Sequence, residues 1–159
     1  MSVEHMFSIH PFSWLSIGTA LLCGCIIGLE RQLRGKPVGI RTSSLIVLGT
    51  YIFIASSALV STEVTDTSRI IGQVVTGIGF LGAGVMLAKD GAVVGVTSAA
   101  TIWSLAAIGV CIAVIDGFVA IKLSFIVVVI LYGVDLLEDH LSGLTKGVHE
   151  KYADWKRKN

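Results

Sequence analysis

Polar residues in this 159-residue chain fall in clusters, and five apolar stretches run between the clusters. These are residues Phe12 to Leu29, Thr42 to Ser61, Ile70 to Ala88, Val96 to Ile115 and Phe118 to Leu137. Each is close to the roughly 20 residues that a helix needs to cross the hydrocarbon core of a bilayer. The stretches are unusually rich in small residues. The third carries Gly77, Gly79, Gly82 and Gly84, and the fourth carries Thr97, Ser98, Ala99, Ala100, Thr101 and Ser104. In water each interior glycine would cost a helix about 1 kcal/mol. In a bilayer the helix cannot exchange its backbone bonds for water, and small residues let neighbouring helices approach closely. In the first stretch Ala20, Gly24 and Gly28 recur every four residues and form one small stripe, a candidate packing face. The pattern predicts an all-α polytopic membrane protein of about five transmembrane helices packed on Gly/Ala/Ser faces. The third and fourth are expected to be joined by a short turn at Lys89-Asp90-Gly91. The fifth, rich in Val, Ile and Leu, is expected on the lipid-facing rim.

After Leu137 the pattern changes. Leu141, Leu144, Val148, Tyr152 and Trp155 recur at helical spacing, with His149, Lys151, Lys156 and Arg157 between them. This suits an amphipathic helix lying on a membrane surface with its cations toward anionic lipid. The chain therefore divides into a transmembrane domain, residues 1–137, and a short basic amphipathic tail, residues 138–159.

Composition agrees with the membrane reading. Charged residues make up 14% of the chain, against about a quarter in soluble domains, and the mean hydropathy is +0.83. The net charge of +1 matters less than its distribution. Arg31, Arg34, Lys36, Arg41, Lys89, Lys146, Lys151, Lys156, Arg157 and Lys158 fall on one side of the predicted bundle, and Arg69 and Lys122 on the other. The excess of cations on cytoplasmic loops then places the N-terminus outside and the C-terminus in the cytoplasm. The N-terminal residues lack the basic start and the cleavage site of a signal peptide.

Several motifs are excluded. Gly77-Ile78-Gly79-Phe80-Leu81-Gly82 fits G-x-G-x-x-G, but it lies inside an apolar run and no acid stands about 20 positions on, as a dinucleotide site requires. Cys23 and Cys25 point to nearly opposite helix faces and suit neither a disulfide nor a shared metal; with Cys111 they read as small core residues. His5, His10, His140 and His149 lack metal-ligand spacing. Hydrolase, zinc-protease and P-loop motifs do not occur. No enzyme, cofactor or nucleic-acid partner is expected.

Candidate chemistry is confined to a few polar groups near membrane depth, where ionised residues are costly and so often functional. Glu30 ends the first span. It reads either as a functional acid or as an interfacial one neutralised by Arg31 or Arg34. Arg41 could instead pair with Glu30 or, with the N-terminus of the second helix, form an anion site, while the Thr42 hydroxyl could bond freed backbone groups. Asp66 and Arg69 either pair locally at the start of the third helix or lend a carboxylate to an outer cation site with Glu63 and Asp116. Thr97, Thr101 and Ser104 share a face that either packs on a neighbour or lines a polar path. Glu30 and Asp66 are the candidate metal ligands, with no ion identified.

Three segments carry a resemblance. GLERQLRGKPVGIRTSSLIVLG (Gly28 to Gly49), DTSRIIGQVVTGIGFLGAGVML (Asp66 to Leu87) and GVTSAATIWSLAAIGV (Gly95 to Val110) together resemble the MgtC/SapB family of bacterial inner-membrane proteins. The resemblance singles out Glu30, Arg31, Gln32, Pro37, Gly39, Arg41, Thr42, Asp66, Arg69, the four glycines from Gly77 to Gly84, Thr97, Ala99, Ala100, Thr101 and Trp103. It implies a role in adaptation to low magnesium, exerted in some members by modulating other membrane proteins. Ile40, Val96 and Ser98 depart mildly from the family pattern. Virulence-type members carry a soluble C-terminal domain where this chain has a short basic tail, so a general short member is expected. Two functions follow: a non-enzymatic regulator that binds other membrane proteins, or a divalent-cation transporter or channel subunit. The small faces further predict self-association, a dimer first, through the Ala20/Gly24/Gly28 stripe.

Overall fold

In the computed structural model, residues 8–60, 67–89 and 92–140 are described. They form five helices and one small hairpin: α1 (Trp14–Leu33), α2 (Ile40–Val60), α3 (Thr67–Gly84), β1 (Leu87–Lys89), β2 (Ala92–Val94), α4 (Val96–Val114) and α5 (Gly117–His140). Among the described residues, four segments are long and apolar enough to cross a membrane: Trp14–Leu33, Ile40–Leu59, Val96–Val114 and Gly117–Leu137. The protein is an all-α membrane protein. α3 is of similar length but is diluted by Ser68, Arg69, Gln73 and Thr76.

Local chemistry explains the helix ends. Ser13 caps α1, its hydroxyl accepting from Leu15 N at 3.2 Å. The connection to α2 turns through Gly35 at φ +61 and Val38 at φ +69, and Ser43 Oγ donates to the Val38 carbonyl at 2.9 Å. Gln32 Oε1 accepts from Ile40 N at 3.3 Å and closes the start of α2. Asp116 caps α5, its Oδ2 accepting from Phe118 N at 2.9 Å and Val119 N at 3.3 Å. These are first-turn amides that otherwise lack intrahelical partners.

One boundary departs from expectation. The third apolar stretch does not stay helical to Ala88: Val85 N and Met86 N bond back to the Gly82 and Ala83 carbonyls, and the chain then pairs Leu87 with Val94, Ala88 with Val93 and Lys89 with Ala92 in an antiparallel hairpin. The chain thus reverses between Lys89 and Ala92, where the turn is expected, but short strands and not helices flank it, and residues 90–91 lie outside the described residues. Gly95 makes the hairpin possible. It stands at φ +90, and a side chain there would run into the Val85 carbonyl.

The bundle is built around α1, α2 and α4. α1 and α2 run antiparallel and almost touch: a Cβ on Gly24 would strike the backbone of Ser44, and one on Gly28 would lie 2.5 Å from Ile40 Cα. Gly109 admits α2 to α4 in the same way, 2.6 Å from the Val47 carbonyl. Ala20, Cys23, Ile27, Val47, Leu105 and Ala120 fill the space between, each fully buried. The Gly24/Gly28 part of the predicted stripe is therefore consumed within the chain, so the dimer was assigned to a surface that α2 already covers. α5 packs on α1 and α4 and is the least buried of the four apolar spans, with Phe125, Ile126, Val129 and Ile130 facing outward. Cys23 and Cys111 are buried as expected, whereas Cys25 is exposed, its Sγ 3.7 Å from Ser44 Oγ. The predicted tail helix, with Tyr152 and Trp155, lies outside the described residues.

Candidate functional site

At the end of the bundle where α1 finishes and α2 begins, charged side chains meet at the edge of the apolar core. We call this the basic end. Arg31 is only 2% exposed. Its Nη2 donates to Ser98 Oγ in the first turn of α4 at 2.9 Å, and its Nη1 lies 3.9 Å from Glu30 Oε2. Glu30 is buried beside it, 2.9 Å from Arg34 Nε through Oε1. That contact is at ion-pair distance without the alignment of a hydrogen bond, and both Glu30 oxygens and Arg31 Nε lack a hydrogen-bond partner in the structure. Arg34 then bridges outward. It pairs with Asp135 of α5 and lies 4.8 Å from the Tyr132 ring centroid, a cation–π distance.

The sequence produces this cluster through simple spacing. Glu30 and Arg34 are one turn apart on α1 and meet on the same face. Arg31 is rotated from them and reaches α4. The four ions balance, two of each sign, which suits a low-dielectric setting where an unpaired charge would be far more costly than a pair. The network ties the end of α1 to the start of α4 and the end of α5. Chemically it is a neutralised clasp, with its carboxylates already covered by guanidinium groups.

The other predicted site residues scatter. Glu30 and Arg31 join the clasp, but Arg41 does not pair with Glu30. Arg41 and Thr42 are exposed at the start of α2, and Arg41 makes no ion pair among the described residues. Arg69 is exposed at the far end of the bundle, and Asp66 and Glu63 lie outside the described residues. Asp116, weighed as a third ligand for the outer cation site, is engaged as a helix cap. Thr97 is exposed. Thr101 is buried, but its Oγ1 donates to the Thr97 carbonyl at 2.8 Å, and Ser104 Oγ donates to the Ala100 carbonyl at 3.0 Å. These hydroxyls bond to their own helix. No group of three or more His, Cys, Asp or Glu side chains suited to a metal occurs among the described residues.

The small residues divide just as clearly. Ala20, Gly24 and Gly28 lie in the interior. A Cβ on Gly82 would meet Ala99 at an ordinary 3.7 Å, where α3 crosses α4, while Gly77, Gly79 and Gly84 meet nothing within 4 Å and Ala100 is exposed. Three contributors to the clasp were missed by sequence reasoning: Ser98 as a partner, Tyr132 and Asp135. The available signal was Asp135 itself, an acid inside an otherwise apolar span.

A second feature lies between α2 and α3. A cleft of about 740 Å³ runs between them, walled by Leu45, Phe53, Val74 and Leu81, with Arg41 and Thr42 also in its lining.

Comparison with known proteins follows the same outline. YhiD of Escherichia coli K12, described as "Putative magnesium transporter YhiD", is 47% identical over 100 residues, covering 58% of this chain and 46% of that protein. Protein MgtC of Brucella abortus strain 2308 is 42% identical over 111 residues, 69% of this chain and 46% of its own. Protein MgtC of Salmonella typhimurium LT2 is 45% identical over 96 residues, 60% of this chain and 41% of its own. The matched region spans less than half the length of each of these relatives. No solved structure matches significantly. The model of the MgtC family matches residues 17–140, from early in α1 to the last residue of α5, and the chain belongs to that family.

Proposed function

We propose that this protein is a non-enzymatic regulator in magnesium or stress adaptation, acting on other proteins of the bacterial inner membrane, with its basic end and C-terminus in the cytoplasm. One observation carries the reading. Glu30, the acid buried at the edge of the membrane-spanning bundle, is covered by Arg31 and Arg34 instead of facing a polar path. On α4 the Thr101 and Ser104 hydroxyls bond back to their own helix and the Ser98 hydroxyl holds Arg31, so these three are engaged away from any conduit.

The surface offered to a partner is the outer side of α3. Gly72, Gly79 and Ala83 are exposed there at helical intervals, and small residues of this kind let a second helix approach closely. A second copy of the chain is the simplest such partner, and a dimer through this face replaces the one expected through α1.

The competing reading draws on the name given to YhiD. Magnesium flux into liposomes holding the purified, folded protein decides between the two. The regulator reading expects no flux above empty vesicles. Flux that Glu30→Gln abolishes, in a variant of unchanged helicity, would make the protein a transporter with Glu30 on its path.

A further inference from the structure

The geometry points to a bound anionic phospholipid in the cleft between α2 and α3, its phosphate on Arg41 and one acyl chain along the apolar walls. The inference does not depend on the regulator reading.

Three observations converge on this occupant. First, the cleft has the form of an amphiphile. From Arg41 to Phe53 the α2 wall rises about 18 Å at 1.5 Å per residue, with its cation at one end and, beyond Thr42, a lining that is apolar except for Thr50 and Gln73. Its volume of about 740 Å³ lies within the ordinary range for small-molecule sites. Second, Arg41 is the one charged side chain in the lining among the described residues. It is exposed and makes no ion pair among the described residues, unlike Arg31 and Arg34. Thr42 places a hydroxyl beside it, and the positive end of α2 lies at the same level. A guanidinium and a hydroxyl together suit a phosphate diester at the headgroup level. Third, the walls leave room. Gly49 on α2 and Gly77 on α3 line the cleft, and a Cβ at either position would meet nothing within 4 Å. Elsewhere in this bundle, at Gly24, Gly28 and Gly109, a glycine is used to bring two helices into contact. At Gly49 and Gly77 it leaves a channel.

Gln73 separates a lipid from a protein helix. It lines the cleft from α3, as do Gly49 and Thr50 from α2, Gly49 standing about 12 Å along α2 from Arg41. An acyl chain at that depth has no use for an amide, whereas a partner helix would hydrogen-bond to it.

The test is native mass spectrometry of the full chain extracted from bilayers of equal parts phosphatidylethanolamine and phosphatidylglycerol. Wild type is expected to retain one phosphatidylglycerol per chain in preference to phosphatidylethanolamine. Arg41→Gln should weaken retention about tenfold, as expected for one charge-assisted contact. Gly77→Leu should plug the channel and abolish retention while leaving helicity unchanged, because its side chain enters open space. Gln73→Leu should leave retention intact or raise it. Retention that is blind to headgroup, or equal in wild type and Gly77→Leu, would overturn the assignment. So would a protein seated there, shown by disulfide crosslinks from Gly77→Cys to another chain that Gln73→Leu weakens.

Discussion

Two glycine-rich seams in this molecule look alike in the sequence and behave in opposite ways. On α1, Gly24 and Gly28 press against the backbone of α2 so closely that a methyl group at either position would collide with main-chain atoms. On α3, Gly77, Gly79 and Gly84 face open space. Composition is the same in both; what differs is whether a second helix lies opposite. Among the described side chains of α3, only Gly82 is buried. A helix with so little of its surface covered inside the chain has surface to spare for something outside it, here assigned to a lipid on one face and a protein on another. Glycine in a bilayer thus marks a permitted close approach and leaves the identity of the approaching partner to the rest of the molecule.

This contrast can be broken most sharply at matched positions. Gly28→Leu should destabilise the bundle by about 3 kcal/mol or more, because backbone must move to admit the side chain. Gly79→Leu, the same change on α3, should shift the isolated chain by no more than about 0.5 kcal/mol. Thermal unfolding in detergent, followed by helicity, measures both, and equal losses would erase the distinction between the seams. Next in size is Arg31→Leu. It leaves buried Glu30 with Arg34 alone and should cost about 3 kcal/mol in the same assay. A loss below that of a surface mutation would mean the clasp carries no weight. The smallest effect is expected at Asp135→Asn. Its carboxylate is 42% exposed, so removing the charge should cost only about 0.5–1 kcal/mol.

Much of the fold was legible because hydropathy and charge obey the bilayer directly. The apolar stretches became helices, and the cations of the first loop collected at one end. The family was legible from three segments whose order the fold preserves. The hairpin was not, because Leu87-Ala88 and Ala92-Val93-Val94, on either side of the expected turn, are apolar enough to pass for the end of one helix and the approach to the next, and Gly95, through its positive φ, then leads the second strand into α4. Glu30 and Arg31 stood out as charges beside an apolar run. Ser98 and Asp135 did not, since their importance comes from which helices lie side by side, and spacing along the chain does not encode that. The same limit applies to the partner of Glu30: the sequence allows Arg31, Arg34 or Arg41, and the fold selects Arg31 and Arg34 on its own helix.

The clasp also imposes an order of events on the making of the protein. Arg31 reaches its Ser98 partner 67 positions later in the chain, and Arg34 reaches Asp135 a full 101 positions later. At the usual pace of protein synthesis, about 5–20 residues per second, the first helix waits about 5–20 seconds for the last to emerge. Until then Arg34 has only Glu30, on its own helix, while Arg31 gains Ser98 earlier, when α4 emerges. Arrival of α5 supplies the last of those partners, and the start and the end of the bundle are then locked together.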